Sequence, residues 1–118
     1  MKASEYEMLL AKAIENSIEK RWALLAENPD AVVDGCYLCS LASKIYNTQT
    51  CPGCHSCPLY NAETHHCCDG WSKWLNAYYY QNKKKKIEAA KQIIAELKAI
   101  DVKAWTSHLV EIKLLEEG

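Results

Sequence analysis

All seven cysteines of this 118-residue chain lie between positions 36 and 68, in the runs CYLC, TCPGCHSCP and HHCC. Proline, glycine and polar residues interrupt the apolar pattern within this stretch, which favours irregular loops. The sequence on either side has helical periodicity. A chain of this length has only a modest core, so a further staple would contribute noticeably to stability. The pattern predicts a cysteine-rich group of loops between helical arms.

The chemistry of these cysteines depends on the compartment. Residues 1–20 carry acids and lysines throughout and lack the uninterrupted apolar run of a signal peptide. No window approaches the roughly 18 apolar residues of a membrane-spanning helix. We therefore expect a soluble, cytoplasmic protein without a membrane partner. In a reducing cytoplasm, and with an odd number of cysteines, metal binding is favoured over disulfides.

The first helical pattern precedes the cysteines. Its apolar residues recur at steps of three and four: Leu10, Ile14, Ile18, Trp22 and Leu25. This spacing predicts an amphipathic helix over residues 4–27. Ser4 and Glu7 fit a capping box at its start. Pro29 should end it, because proline disfavours helical geometry in the preceding residue.

Two shorter helical patterns flank the loops. Residues 36–46 predict a short helix that opens with the CYLC pair. After the cysteines, Asp69 is placed to cap a third helix. The apolar positions of that helix share one face and are expected to form a core stripe: Trp71, Trp74, Leu75 and Tyr78.

The C-terminal residues predict a further helical stretch. Asn82 and the four lysines that follow it indicate a turn, and helical periodicity begins near Lys86. The apolar stripe changes phase at Asp101, which fits either one bent helix or two helices. The stripe comprises Ile87, Ala90, Ile94 and Leu97 before the change and Trp105, Leu109, Ile112 and Leu115 after it.

These patterns together predict one domain of the all-α class. We expect a small bundle of about four helices with a metal-stapled, irregular insert. The N-terminal helix occupies residues 1–28, the cysteine-rich region residues 36–68 and the C-terminal helices residues 69–118.

Two Cys-x2-Cys pairs are spaced as a zinc site requires. Cys36 and Cys39 form the first pair, and Cys54 and Cys57 form the second. Each short loop can direct two thiolates at one tetrahedral ion, and the intervening segment brings the two halves together. Zinc bound in this way also supplies folding free energy. We therefore predict a zinc site with these four ligands.

Other side chains in the same stretch compete as ligands. Cys51, Cys67 and Cys68 offer further thiolates, and His65 or His66 could replace one thiolate in a Cys3His site. Adjacent residues seldom both reach one ion. We therefore expect at least one of Cys67 and Cys68 to be spare.

An iron–sulfur cluster is the alternative cofactor. Cys51, Cys54 and Cys57 form a CxxCxxC run that could hold three corners of a cubane cluster, with a fourth ligand from elsewhere. The bacterial ferredoxin pattern has its fourth cysteine where this chain has Asn61. A redox or sensor protein is therefore an alternative function.

Catalysis is not expected from the cysteine region. A four-thiolate zinc site is closed, whereas catalytic zinc keeps an open coordination position and a nearby base. Glu63 is the only acidic residue between Asp34 and Asp69, so partners for acid–base chemistry are sparse. We therefore predict a protein that is not an enzyme.

The runs CYLCSL, GCHSCPLY and CC, followed by a tryptophan-containing helix, occur in a fixed order. This order resembles a family of small cysteine-rich phage and prophage proteins of unknown function, which have a CxLC pair, a later CxxCPL pair and a further cysteine. The matching positions are Cys36, Cys39, Cys54, Cys57, Pro58, Leu59 and Cys67 or Cys68. The resemblance implies a phage-related origin and a bacterial host cell, without an established activity. It suggests a phage-encoded modulator or inhibitor of a host system.

A partner-binding surface is predicted from aromatic and basic residues close together in sequence: Tyr79, Tyr80, Lys83, Lys84, Lys85 and Lys86. Tyrosine is enriched at protein interfaces, so a protein is the preferred partner. Residues 78–86 could instead stack bases and neutralise phosphates. The formal net charge of -1 disfavours that nucleic-acid alternative. The lysines themselves are expected to be solvated at the negative pole of a helix.

Overall fold

The computed structural model describes residues 1–33, 37–45, 58–59 and 69–118. These residues are predominantly helical and contain no strand, so the all-α prediction is confirmed for them. The predicted insert, residues 36–68, lies mostly outside this set. Within the described ranges, none of the helices has the length and apolarity that crossing a membrane requires.

The helices follow the predicted order, and a π-helical turn interrupts the first of them. They are α1 (Ala3–Ser17), a π-helical turn (Ile18–Trp22), α2 (Ala23–Glu27), α3 (Tyr37–Ile45), α4 (Asp69–Tyr79), α5 (Lys83–Lys98) and α6 (Val102–Glu111). Since α1, the π-helical turn and α2 are continuous along the chain, the predicted N-terminal helix is confirmed. Of the two options predicted for the C-terminal residues, the structure has two helices, which meet near Asp101. The Asp101 carboxylate caps α6 by accepting from the amide of Ala104 at 3.0 Å.

The first helical rod consists of α1, the π-helical turn and α2. Its π-helical turn keeps the buried residues on one side of the rod. The buried residues of this rod are spaced by three or four positions except between Ser17 and Trp22, which are five apart: Tyr6, Leu10, Ala13, Ser17, Trp22 and Leu25. A π-helical turn closes i to i+5 hydrogen bonds, so it contains more residues than an α-helical turn. It therefore returns Trp22 to the buried side. Ile14 and Ile18, which we predicted on the stripe, are only partly buried.

The start of α1 is capped by backbone from the C-terminal residues. The amide of Ala3 donates to the carbonyl of Glu116 at 2.8 Å, and the amide of Ser4 donates to the carbonyl of Gly118 at 2.7 Å. These bonds satisfy donors that a helix start leaves without intrahelical partners. The predicted capping box is wrong, because the N-cap residue is Lys2 and no side chain caps this helix.

Helices α4 and α5 form a tightly packed antiparallel hairpin. Gln81 in the connecting turn has a φ of 52°, the left-handed conformation that reverses the chain. At the far end, a Cβ on buried Gly70 would overlap Cγ1 of Ile93 and lie 3.3 Å from the Ile93 backbone nitrogen. Lys73 Nζ donates to Gln92 Oε1 at 2.9 Å across the hairpin. The absence of a side chain at Gly70 therefore sets how closely the helices approach.

One hydrophobic core joins the described helices. On α5, the predicted residues Ala90 and Leu97 are buried, whereas Ile87 and Ile94 are only partly covered, and Ile93 is almost fully buried. The prediction that Ile112 belongs to the apolar stripe is wrong, because this residue is 49% exposed where the chain leaves α6. The buried residues of the core are Tyr6, Leu10, Ala13, Trp22, Leu25, Leu38, Leu41, Ala42, Ala90, Ile93, Leu97, Leu109 and Leu115.

Candidate functional site: an exposed tyrosine and lysine surface

The predicted metal ligands lie outside the part of the chain that the structure describes. This applies to Cys36, Cys51, Cys54, Cys57, His65, His66, Cys67 and Cys68. Cys39 lies within α3, but its side chain is not among those that the structure describes. Within the described ranges, no three histidine, cysteine or acidic side chains are grouped as a metal site would need. Zinc and iron–sulfur binding therefore stay predictions.

The predicted partner-binding residues surround the turn between α4 and α5. Tyr78 is 54% exposed, and Tyr79 and Tyr80 are each 80% exposed. The prediction that Tyr78 belongs to a core stripe is therefore wrong. Ala77, which is 3% exposed, takes the buried position at this end of α4. Tyr78 is the next residue round the helix and lies at the edge of the packed face.

The four lysines begin α5 rather than forming a turn. Asn82 is the N-cap, and its Oδ1 accepts from the amide of Lys85 at 3.1 Å. Asparagine is among the best N-cap residues and lysine is a good helix former, so the local sequence favours this helix start. The predicted turn and the predicted negative pole are both wrong. The lysines lie at the N-terminal, positive pole of α5, where their charges and the helix dipole add.

Lys86 differs from the other three lysines because it is buried. Its exposure is 8%, and its ammonium lies 5.0 Å from the ring centroid of Tyr78 and 5.9 Å from that of Trp74. Aromatic faces attract a cation at such distances. Lys86 Nζ also lies 4.0 Å from Oδ1 of Asp30. Lys86 therefore offers little surface to a partner, whereas the three lysines before it are exposed.

Asp30 supplies the acidic group of this site. Lys83 Nζ lies 3.0 Å from Asp30 Oδ2, and the two side chains are 69% and 56% exposed. The hydrogen bond donated by Lys83 and the positive charge of Lys83, with a smaller contribution from Lys86, hold the pKa of Asp30 below its usual range. Asp30 is not among the site residues that the sequence predicts. No local pattern relates it to Lys83, since the two residues come from segments far apart in the chain.

A row of aromatic rings connects the core to this surface. The rings of Trp22 and Trp74 meet edge to face, with centroids 6.0 Å apart. Trp74 stacks on Tyr78 at 5.5 Å with an interplanar angle of 17°, and Tyr78 meets Tyr79 at 6.3 Å. Aromatic pairs in these arrangements are stabilising beyond the area they bury. Ring contacts therefore connect Tyr78 and Tyr79 to Trp22 in the π-helical turn.

The exposed residues of this site define what we call the tyrosine–lysine surface: Tyr78, Tyr79, Tyr80, Lys83, Lys84 and Lys85. Tyr78 also lines a cleft of about 270 Å³ that contains Asp30 and Lys86. Tyr80 lines a separate groove of about 490 Å³ along α4 and α5. The surface combines apolar ring area, hydroxyl groups and positive charge, which is chemistry suited to binding.

Comparisons with known proteins were made by family model, by curated sequence and by solved structure, and no match was found in any of the three.

Proposed function

We propose that this protein is a non-enzymatic binding module that engages another protein through the tyrosine–lysine surface. The observation that carries the proposal is the exposure of three consecutive tyrosines, at 54%, 80% and 80%, beside three exposed lysines. Tyrosine supplies large contact area together with a polar hydroxyl, and it is enriched at interfaces and among their energetically dominant residues.

The way this surface is supported favours binding. Tyr78 stacks on Trp74, which in turn meets the buried Trp22. The lysines begin a helix that Asn82 caps. A surface held in place before binding has less conformational entropy to lose when a partner arrives.

We further propose that zinc stabilises the module, with Cys36, Cys39, Cys54 and Cys57 as its ligands. The support for this proposal is the spacing of the two Cys-x2-Cys pairs. Elemental analysis of protein purified without oxygen or added metal tests it. We expect a colourless protein with about one zinc per chain. Brown protein with iron and acid-labile sulfide would instead favour the iron–sulfur alternative.

The resemblance to phage and prophage proteins supports a biological setting for the module. We propose a phage-encoded modulator or inhibitor that acts in the cytoplasm of a bacterial host. Its partner would then be a protein of that host.

Affinity capture from a bacterial host lysate tests protein binding at this surface. The bait is the full chain, and the test variant carries Tyr79→Ser and Tyr80→Ser. The matched control is Met8→Ser, because Met8 is 67% exposed on α1. We expect one stoichiometric partner with the wild type and the Met8 variant, and loss of that partner with the tyrosine variant. Equal capture by all three proteins would place binding elsewhere.

Nucleic-acid binding is the second candidate, and one observation favours it. The lysines lie at the positive pole of α5, so positive charge is concentrated next to exposed rings that could stack on bases. Retention on a polyanion column that collapses between low and moderate salt, and that vanishes when the lysines at positions 83–86 become glutamine, would support it. Flow-through at low salt would exclude it.

A further inference from the structure

We infer that the protein partner presents an acidic segment, one carboxylate of which binds Lys83. In the unbound protein, the carboxylate of Asp30 occupies that position. This inference rests on the proposed function, because it concerns the same tyrosine–lysine surface.

The geometry of the ion pair carries the inference. Asp30 follows α2, and its carboxylate reaches across to the start of α5, where Oδ2 lies 3.0 Å from Lys83 Nζ. The Asp30 carboxylate thus shows where an oxyanion fits on this surface. The lowered pKa of Asp30 agrees with a carboxylate held in its charged form at neutral pH.

An incoming carboxylate can displace Asp30 without unfolding the protein. Both partners of the pair are more than half exposed, with side-chain exposures of 69% for Lys83 and 56% for Asp30. Exposed ion pairs contribute little net stability, because solvent screens them and two long side chains must be ordered. The contact is therefore weak enough for a partner to replace it.

Asp30 neutralises only part of the positive charge at this surface. Lys84 and Lys85 are exposed, and neither has an ion pair with any residue that the structure describes. A partner segment with several carboxylates would contact these two lysines as well as Lys83. The neighbouring tyrosines would supply apolar contact area and hydroxyl donors to the same segment.

The charge available favours an acidic protein segment over a nucleic acid. Binding to a nucleic-acid backbone rests on lysine and arginine side chains that neutralise phosphates, and its strength rises with the number neutralised. This surface offers three exposed lysines, in a chain whose formal net charge is -1. Three lysines can pair with the few carboxylates of a short acidic segment.

Fluorescence anisotropy with labelled, end-blocked hexaglutamate tests the inference on the full chain, with hexaglutamine and hexathymidylate as comparison probes. We expect Asp30→Asn to tighten hexaglutamate binding by about two- to fivefold, the range that corresponds to an exposed ion pair. We expect no gain from Asp30→Asn when Lys83→Gln is already present, because Asp30 and a probe carboxylate then have no lysine ammonium at position 83 to compete for. Hexaglutamine should bind weakly to every variant.

Glu27→Gln is the matched control for the change in net charge. Glu27 is exposed, lies close to Asp30 in sequence and forms no ion pair among the described residues. If Glu27→Gln tightens hexaglutamate binding as much as Asp30→Asn, the effect is one of overall charge and the inference is wrong. An effect confined to Asp30→Asn supports direct competition at Lys83.

The remaining outcomes separate this inference from the proposed function. If Asp30→Asn changes nothing while Lys84→Gln with Lys85→Gln weakens hexaglutamate binding, the competition at Lys83 is overturned and the binding surface stands. If the lysine variants bind hexaglutamate as the wild type does and the tyrosine variant still captures the lysate partner, the proposed function fails as well. Tighter binding of hexathymidylate than of hexaglutamate would overturn the acidic protein partner in favour of nucleic acid.

Discussion

The indole nitrogen of Trp105 donates a hydrogen bond to the hydroxyl oxygen of Tyr6 at 3.1 Å, which joins α6 to α1. Tyr6 is 1% exposed and belongs to the hydrophobic core. A buried tyrosine contributes apolar area through its ring but needs a partner for its hydroxyl. This bond supplies one partner and fixes the position of α6 against the first helical rod.

Replacing Tyr6 with phenylalanine should therefore destabilise the protein. The change keeps the aromatic ring but removes the hydroxyl oxygen of Tyr6. The partly buried indole N–H of Trp105 then loses this acceptor. We expect the free energy of unfolding, measured by urea titration, to fall by about 1–3 kcal/mol. Tyr80→Phe is the control, because Tyr80 is 80% exposed and its substitution should have little effect. Equal effects of the two changes would show that the Tyr6 hydroxyl is energetically unimportant.

Replacing Ser17 with alanine should stabilise the protein. The Ser17 side chain is fully buried at the end of α1, and its Oγ has no hydrogen-bond partner among the described residues. A buried hydroxyl without a partner carries a desolvation penalty of about 1–3 kcal/mol. Thermal and urea denaturation should therefore show a gain of about 1 kcal/mol or more.

Alanine also has a higher helix propensity than serine, so the Ser17 result needs a control. Ser107 is exposed on α6, and Ser107→Ala reports the propensity difference alone. The gain at Ser17 should exceed that at Ser107. A loss of stability at Ser17 would mean that its hydroxyl is satisfied in solution.

Replacing Gly70 with alanine should loosen the hairpin of α4 and α5. The added Cβ would overlap Cγ1 of Ile93, and the Ile93 backbone at 3.3 Å limits relief by movement of that side chain. Overpacking of this kind lowers stability by about 1–3 kcal/mol, despite the better helix propensity of alanine.

The Gly70 prediction can be checked by a double-mutant cycle with Ile93→Ala. Ile93→Ala alone removes buried volume and should itself destabilise by about 2–5 kcal/mol. With the Ile93 side chain truncated, Gly70→Ala should lose most of its cost or become favourable. An undiminished cost in that background would assign the effect to the backbone of α5 rather than to the Ile93 side chain.

The carboxyl group of Asp30 should titrate below its usual pKa. The hydrogen bond from Lys83 and the charge of Lys83 are the main causes, and Lys86 adds to them. Because the folded-state pKa is lowered, the stabilising contribution of this pair is present above the unfolded pKa and is lost as pH falls through the folded pKa. Carbon-13 NMR of the side-chain carboxyl groups measures the titration directly.

Substitutions of the two lysines rank the causes of this pKa shift. Lys83→Gln should return the pKa of Asp30 most of the way to its usual range, and Lys86→Gln should have a smaller effect. An Asp30 pKa that does not respond to Lys83→Gln would show that the ion pair is not populated in solution.

Helix positions could be predicted from the sequence because helical periodicity is a local property. The long N-terminal rod, α3 and α4 follow from apolar spacing, whereas Asp69, predicted as the cap of α4, is its first helical residue. The cap at Ser4 failed for a nonlocal reason, since residues near position 116 supply the acceptors. The phase of α5 was misjudged because its buried face depends on which neighbours pack against it.

The candidate site was predicted in part. The tyrosines and lysines could be named because they lie close together in the sequence, but their electrostatic setting and the burial of Lys86 could not. Asn82 was interpreted as a turn residue, whereas the structure uses it as a helix cap, which reverses the pole at which the lysines lie. Asp30 enters the site through a tertiary contact that sequence spacing does not encode, whereas Trp74 and Tyr78 lie four residues apart on α4 and are predicted to share a face.

The π-helical turn also has a consequence for how this chain tolerates insertions and deletions. It separates α1, which packs against α3 and α6, from α2, which packs against α5. Deleting one residue within Ile18–Trp22 would shorten the step from Ser17 to Trp22 from five residues to four, the spacing of a regular α-helix. Trp22 and Leu25 would then still face the core, because the π-helical turn and the extra residue that it accommodates would be lost together. A residue inserted into α1 and continued as regular α-helix would instead rotate everything after it by about 100° about the helix axis, so the chain should tolerate a deletion in this turn better than an insertion beside it.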